Sequence, residues 1–129
     1  MKKIDKILLV DNDNVNNFLN ARLLKKLEIA NEINVALNGR EAINHLNKSA
    51  TCPELILLDI NMPVMDGFEF LNSYKTHTSS DPVIVVLTTS SNENDISKLE
   101  NHPSVMGYLN KPLTAEKINS VLEKHFSDT

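Results

Sequence analysis

The chain has a single cysteine, no tryptophan and only three glycines. One thiol forms no internal disulfide. Cys52 stands before Pro53 in no redox or metal-binding spacing, which fits a reducing compartment. With three scattered glycines there is no Gly-rich loop to cradle a nucleotide phosphate. No apolar stretch approaches the roughly 18 residues of a membrane span. The opening Met1-Lys2-Lys3-Ile4-Asp5 lacks the apolar segment of a secretory signal, so the expected location is cytoplasmic. Positive charge is not in excess. The formal net charge is −4, and Lys2-Lys3 and Lys25-Lys26 are isolated pairs. Neither nucleic acid nor a membrane is expected as a partner.

What remains is an ordinary globular composition over 129 residues, 41% hydrophobic and 23% charged. That suits one domain, residues 1–129, with no output domain expected. Short apolar runs alternate with segments of helical periodicity. Strands are predicted at Lys6–Val10, Glu32–Leu37, Glu54–Leu58, Val83–Leu87 and Val105–Leu109. Helices are predicted at Val15–Leu27, Glu41–Lys48, Gly67–His77, Glu93–Glu100 and Thr114–Phe126. In the first helix Val15, Phe18, Leu19, Leu23 and Leu27 fall at helical spacing and form its expected apolar face. Five strand–helix units with short connections imply a parallel sheet covered on both sides, with right-handed crossovers. Strands one, three and four are the most uniformly apolar and belong at the centre, which fits the order 2-1-3-4-5.

Asp59 ends the uninterrupted run Leu55-Ile56-Leu57-Leu58. A strand of that kind is buried on both faces, and its carboxyl end opens into the crevice where ligands of open α/β sheets bind. All parallel strands end on one side. Asp11-Asn12-Asp13, Asp59 with Asn61, Thr88-Thr89-Ser90 and Lys111-Pro112 therefore converge. Clustered carboxylates repel unless neutralised. A hard dication such as Mg²⁺ neutralises them, while lysine and threonine suit a phosphoryl group. These are the parts needed to transfer a phosphoryl group to an aspartate.

Four segments sharpen this: Ile7-Leu8-Leu9-Val10-Asp11, Leu57-Leu58-Asp59-Ile60-Asn61-Met62-Pro63-Val64-Met65-Asp66-Gly67, Val86-Leu87-Thr88-Thr89-Ser90 and Gly107-Tyr108-Leu109-Asn110-Lys111-Pro112. In order and spacing they resemble the receiver domains of two-component response regulators, of the stand-alone chemotaxis-regulator-like type. The resemblance implies a flavodoxin-like (βα)5 three-layer sandwich. It implies that Asp59 accepts a phosphoryl group from a histidine kinase or phosphotransfer protein. Mg²⁺ would be held by Asp11, Asp59, the backbone carbonyl of Asn61 and the residue at position 12. Thr88 and Lys111 would bind the phosphoryl group, and Tyr108 would switch rotamer with Thr88. A cis Lys111-Pro112 bond is implied too. Signalling, not turnover, is the implied activity, through protein contact. The face of helix four, strand five and helix five is the implied contact surface and a candidate homodimer interface.

One position departs from the family: Asn12 stands where a second acid is usual, which lowers the expected Mg²⁺ affinity. Asp13 either compensates or caps the first helix. Asp66 reads as the cap of the third helix. A degenerate, non-phosphorylated receiver is one alternative. Another is a haloacid-dehalogenase-like phosphatase, because Asp11-Asn12-Asp13-Asn14-Val15 matches that family's first motif. There Asp11 is the nucleophile and Asp13 the acid/base. That reading leaves Asp59 and its loop unexplained. His45, His77, His102 and His125 show no ligand spacing and receive no role.

Overall fold

The computed structural model describes residues 4–48, 53–60, 62, 65–73, 82–89, 93–102 and 105–126. The element order is β1 (Ile4–Val10), α1 (Asn14–Lys26), β2 (Ala30–Ala36), α2 (Gly39–Lys48), β3 (Leu55–Leu58), α3 (Gly67–Ser73), β4 (Val83–Thr88), α4 (Glu93–Asn101), β5 (Val105–Asn110) and α5 (Ala115–His125). All five strands are parallel, in the order β2-β1-β3-β4-β5. This is the flavodoxin-like arrangement expected from the sequence. Tyr74 and His77, placed on the third helix by sequence, lie outside the described residues.

Strand side chains alternate between two cores because successive residues point to opposite faces. Ile7, Leu9, Leu55, Leu57, Val85 and Leu87 pack with Leu24 of α1 and with Ile118, Val121 and Leu122 of α5. Leu8, Val10, Ile56, Leu58, Ile84 and Val86 pack with Ala42 of α2, Phe70 and Leu71 of α3 and Leu99 of α4. Every residue of β3 is buried, as expected of a central strand. The edge strands are mixed: in β2, Ile33 packs inward while Val35 is exposed.

The helices start where the side chains allow it. Asp13 caps α1 by accepting from the backbone N–H groups of Val15 and Asn16. Asp66 and Glu69 form a reciprocal capping box at the start of α3. The Asp66 carboxylate accepts from the Glu69 N–H at 2.9 Å, and the Glu69 carboxylate from the Asp66 N–H at 3.2 Å. Thr114 caps α5. Beyond the end of α1, Glu28 takes a left-handed conformation, φ 54°.

The expected face of α1 needs correcting. Val15, Phe18 and Leu19 are exposed, whereas Asn17 and Leu24 are the buried residues of the helix. Leu23 and Leu27 do pack against the first core. The rotation has a local cause. The Asn17 amide hydrogen-bonds the Asp11 carbonyl at 2.8 Å, which turns the first turn of α1 inward on a polar residue. Hydrophobic periodicity does not register such a bond.

Two glycines close the fold around Asp59 by close approach. A Cβ on Gly67 would lie 2.6 Å from the Ile60 Cα, and one on Gly39 would lie 2.7 Å from the Met65 Cγ. The Gly39 N–H donates to the Met65 carbonyl at 2.8 Å, and the Gly67 N–H to the Ile60 carbonyl at 3.0 Å. Gly67 is thus fastened to Ile60, and Met65 to the β2–α2 turn.

Candidate functional site

The strand register assembles the site. The Asp11 N–H donates to the Ala36 carbonyl, Asp59 to Val10 and Lys111 to Thr88, at 3.0, 2.8 and 2.9 Å. Each residue thereby extends a ladder one step past its strand. Asp11, Asp59, Thr88 and Lys111 consequently meet at the carboxyl edge of β1, β3, β4 and β5.

There the side chains form an acidic cup. Lys111 Nζ lies 2.9 Å from Asp11 Oδ2 and 3.6 Å from Asp59 Oδ1. Both carboxylates and Thr88 are buried. The second carboxylate oxygen of Asp11 accepts from the Asp13 N–H at 2.9 Å. Among the described residues two carboxylates meet one ammonium here, an excess of one negative charge. In a buried site that excess attracts a cation.

The Lys111–Pro112 peptide bond is cis, as the resemblance implies. Tyr108 is half-buried and packs against the second core. Asn12 is exposed. Asp13, left open between metal contact and helix cap, uses its carboxylate as the cap. On the phosphatase alternative Asp13 is the acid/base, and here that group is engaged by the helix start. Asn61, whose carbonyl was assigned to the metal, lies outside the described residues, as do Ser90 and Cys52. His102 contacts Asn72 at 3.3 Å, on the α3–α4 side of the fold.

The donor chemistry fits Mg²⁺. Asp11 and Asp59 supply hard carboxylate oxygens, and Mg²⁺ is commonly held by one or two carboxylates with waters completing the shell. Among the described residues no three His, Cys, Asp or Glu side chains gather to hold a metal ion. The neutral Asn12 is consistent with that.

Sequence reasoning missed Asn17. It lies four residues after the cap Asp13, on the helical face turned toward the strand ends, and this spacing was the available signal. Also unforeseen is a cleft of about 490 Å³ beside the cup, lined by Leu19, Leu23, Leu87, Thr89, Lys111 and Pro112 among others. Among the described residues no helix is long and apolar enough to cross a membrane.

Residues 7–123 match the family model for the response regulator receiver domain. The chain is 32% identical over 124 residues to the probable methanogenesis regulatory protein FilR2 of Methanothrix harundinacea, covering 92% of this chain and 79% of that one. It is 34% identical to hybrid signal transduction histidine kinase B of Dictyostelium discoideum, of which it spans only 7%. It superposes on a two component response regulator from Cytophaga hutchinsonii with a TM-score of 0.85 and 34% identity, covering 95% and 97% of the two chains. The chemotaxis protein CheY4 of Vibrio cholerae gives a TM-score of 0.74 at 26% identity, covering 94% and 98%. This is a signalling family whose members interact with histidine kinases or phosphotransfer proteins, and Mg²⁺ dependence is a family feature. With a family match over nearly its whole length and the strand-end residues in register, the chain belongs to the response regulator receiver domains of two-component systems.

Proposed function

We propose that Asp59 is the phosphoacceptor of a phosphorylation-dependent signalling module. Its carboxylate oxygen attacks the phosphorus of a phosphohistidine on a sensor kinase or phosphotransfer protein. The N–P bond breaks, an O–P bond forms, and the imidazole leaves. The observation that supports this most is the single ammonium of Lys111 set between two buried carboxylates at the strand ends.

Lys111 neutralises the incoming phosphoryl oxygens as a point charge, and the Thr88 hydroxyl donates to one of them. Asp11 and Asp59, with Asn12 and the Asn61 carbonyl, would hold Mg²⁺. When bound, the ion supplies neutralisation of the charge that builds up on the phosphoryl oxygens. Tyr108 then repacks as Thr88 moves. The modified domain selects its partner by shifting a two-state equilibrium.

Two surfaces serve these contacts. The donor seats over the cleft walled by Thr89 and Lys111, beside the exposed Val15, Phe18 and Leu19. The responding partner, or a second copy, engages α4, β5 and α5, where Met106 is half exposed. Partners are proteins in the cytoplasm, not nucleic acid or membranes.

The test is incubation with Mg²⁺ and acetyl phosphate followed by intact-mass measurement. The wild-type chain gains one phosphoryl group and Asp59→Asn gains none. Equal labelling of the variant removes Asp59 from the role. A wild type that stays unlabelled with both acetyl phosphate and phosphorylated donors identifies a degenerate receiver.

A further inference from the structure

The Asn17 amide is buried, with only one of its two ends satisfied. Its nitrogen donates to the Asp11 carbonyl, while Oδ1 is a buried acceptor with no partner among the described residues. The amide orientation is fixed, because a carbonyl only accepts and the nitrogen must face Asp11. An orphaned buried acceptor costs about 1–3 kcal/mol, so native structures rarely leave one without water.

The space for that water is present. Asn17 lines a small pocket of about 10 Å³ together with Asp11, Asn20, Leu57, Asp59 and Leu87. One water needs about 10–15 Å³ and two to four polar partners. The pocket meets the lower bound, and its polar lining is Asn17, Asn20 and the two carboxylate-bearing residues of the cup. An apolar cavity of this size would stay dry. This one has Asn17, Asn20, Asp11 and Asp59 among its lining residues.

We infer that Asn17 holds a single water in this pocket and, through it and the bond to Asp11, acts as a positioning residue for the acidic cup. The nitrogen fixes the main chain of Asp11 and hence the direction of its carboxylate. The oxygen takes one hydrogen of the water, whose remaining bonds reach the floor of the cup. Outer-shell groups of this kind set how well carboxylates meet a metal, with typical losses of 10–100-fold on removal. The water itself is independent of the proposed function. Its consequence for Mg²⁺ rests on that function.

Two measurements separate these. First, in the wild-type chain, water-selective NOE spectroscopy shows a cross-peak from a long-lived water to the Asn17 side-chain amide protons, and a high-resolution crystal structure shows the ordered water. If neither appears, the water is refuted whatever the domain does with phosphate. Second, Asn17→Leu fills a similar volume without either hydrogen bond, and Asn17→Ser keeps a hydroxyl that can hold the water. Calorimetric Mg²⁺ titration is expected to show about tenfold weaker binding for Asn17→Leu and recovery of most of it by Asn17→Ser. A merely structural role lowers the unfolding midpoint of both variants and leaves the Mg²⁺ affinity of the folded fraction unchanged, and that result overturns the positioning role. Should wild type itself bind no Mg²⁺, the proposed function fails while the NOE still decides the water.

Discussion

Lys111 sits closer to Asp11 than to Asp59, with its ammonium 2.9 Å from one carboxylate and 3.6 Å from the other. The lysine therefore pairs with Asp11 and leans toward Asp59. Removing it leaves two buried carboxylates facing each other. Lys111→Met is expected to destabilise the domain by about 3 kcal/mol, the usual cost of breaking a buried pair. Added Mg²⁺ restores part of the loss, because a dication replaces the missing charge. Urea unfolding with and without Mg²⁺ checks both, and midpoints equal to wild type would show that the ammonium does not hold the cup together.

Asn12 is exposed at the rim, while Asp13 is engaged as the cap of α1. Asn12→Asp adds a negative ligand and is expected to tighten Mg²⁺ binding about tenfold. Calorimetry reads this directly. An unchanged affinity would mean that Asp13 leaves its cap to serve the ion.

Gly39 abuts both the side chain and the carbonyl of Met65. Gly39→Ala forces a methyl into that contact, for an expected loss of about 1–3 kcal/mol. Adding Met65→Ala relieves the side-chain clash, 2.7 Å from Cγ, but not the approach of 2.9 Å to the carbonyl. The double variant is thus expected to recover only part of the stability in thermal unfolding. Full recovery would place the whole strain on the methionine side chain.

Glu28 occupies a left-handed conformation just past the end of α1, where its N–H donates to the Lys25 carbonyl at 3.1 Å. Residues with a Cβ pay about 1–2 kcal/mol there, partly offset in glycine by its greater freedom when unfolded. Glu28→Gly is expected to stabilise the domain by about 0.5–1 kcal/mol. A lower melting temperature would contradict it.

His125, in the last turn of α5, has its pKa held below 6.5, first by partial burial and then by the neighbouring Lys124 charge. The unfolded chain consequently takes up the proton more readily than the folded one. The sign follows: stability is unaffected well above pH 6.5 and falls as pH drops through the unfolded value toward the lower folded one. His125→Gln is expected to flatten that slope between about pH 7.5 and 5.5, measured as unfolding midpoints across the range. An identical slope would assign it to other groups.

The strands, their order and the convergence of Asp11, Asp59, Thr88 and Lys111 were legible because uniform apolar runs and strand-terminal polar residues leave few alternatives for a parallel sheet. The cap at Asp66 was also legible, because Asp is a good helix cap; the reciprocal bond to Glu69 was not foreseen. The orientation of α1 was not. Apolar spacing pointed to Val15, Phe18 and Leu19 as inward, and a single amide-to-carbonyl bond from Asn17 decided otherwise. Nor could the sequence settle Asp13, because a strand-end carboxylate suits a helix start and a cation equally. The Gly39–Met65 contact was also invisible, since it joins two turns far apart along the chain.

The even–odd division of the strands gives the molecule two packing layers that share little beyond the sheet. Substitutions in the core under α1 and α5 need not disturb the core under α2, α3 and α4, because well-separated changes act almost additively. A volume change in one core therefore reaches the other chiefly through the strands they share.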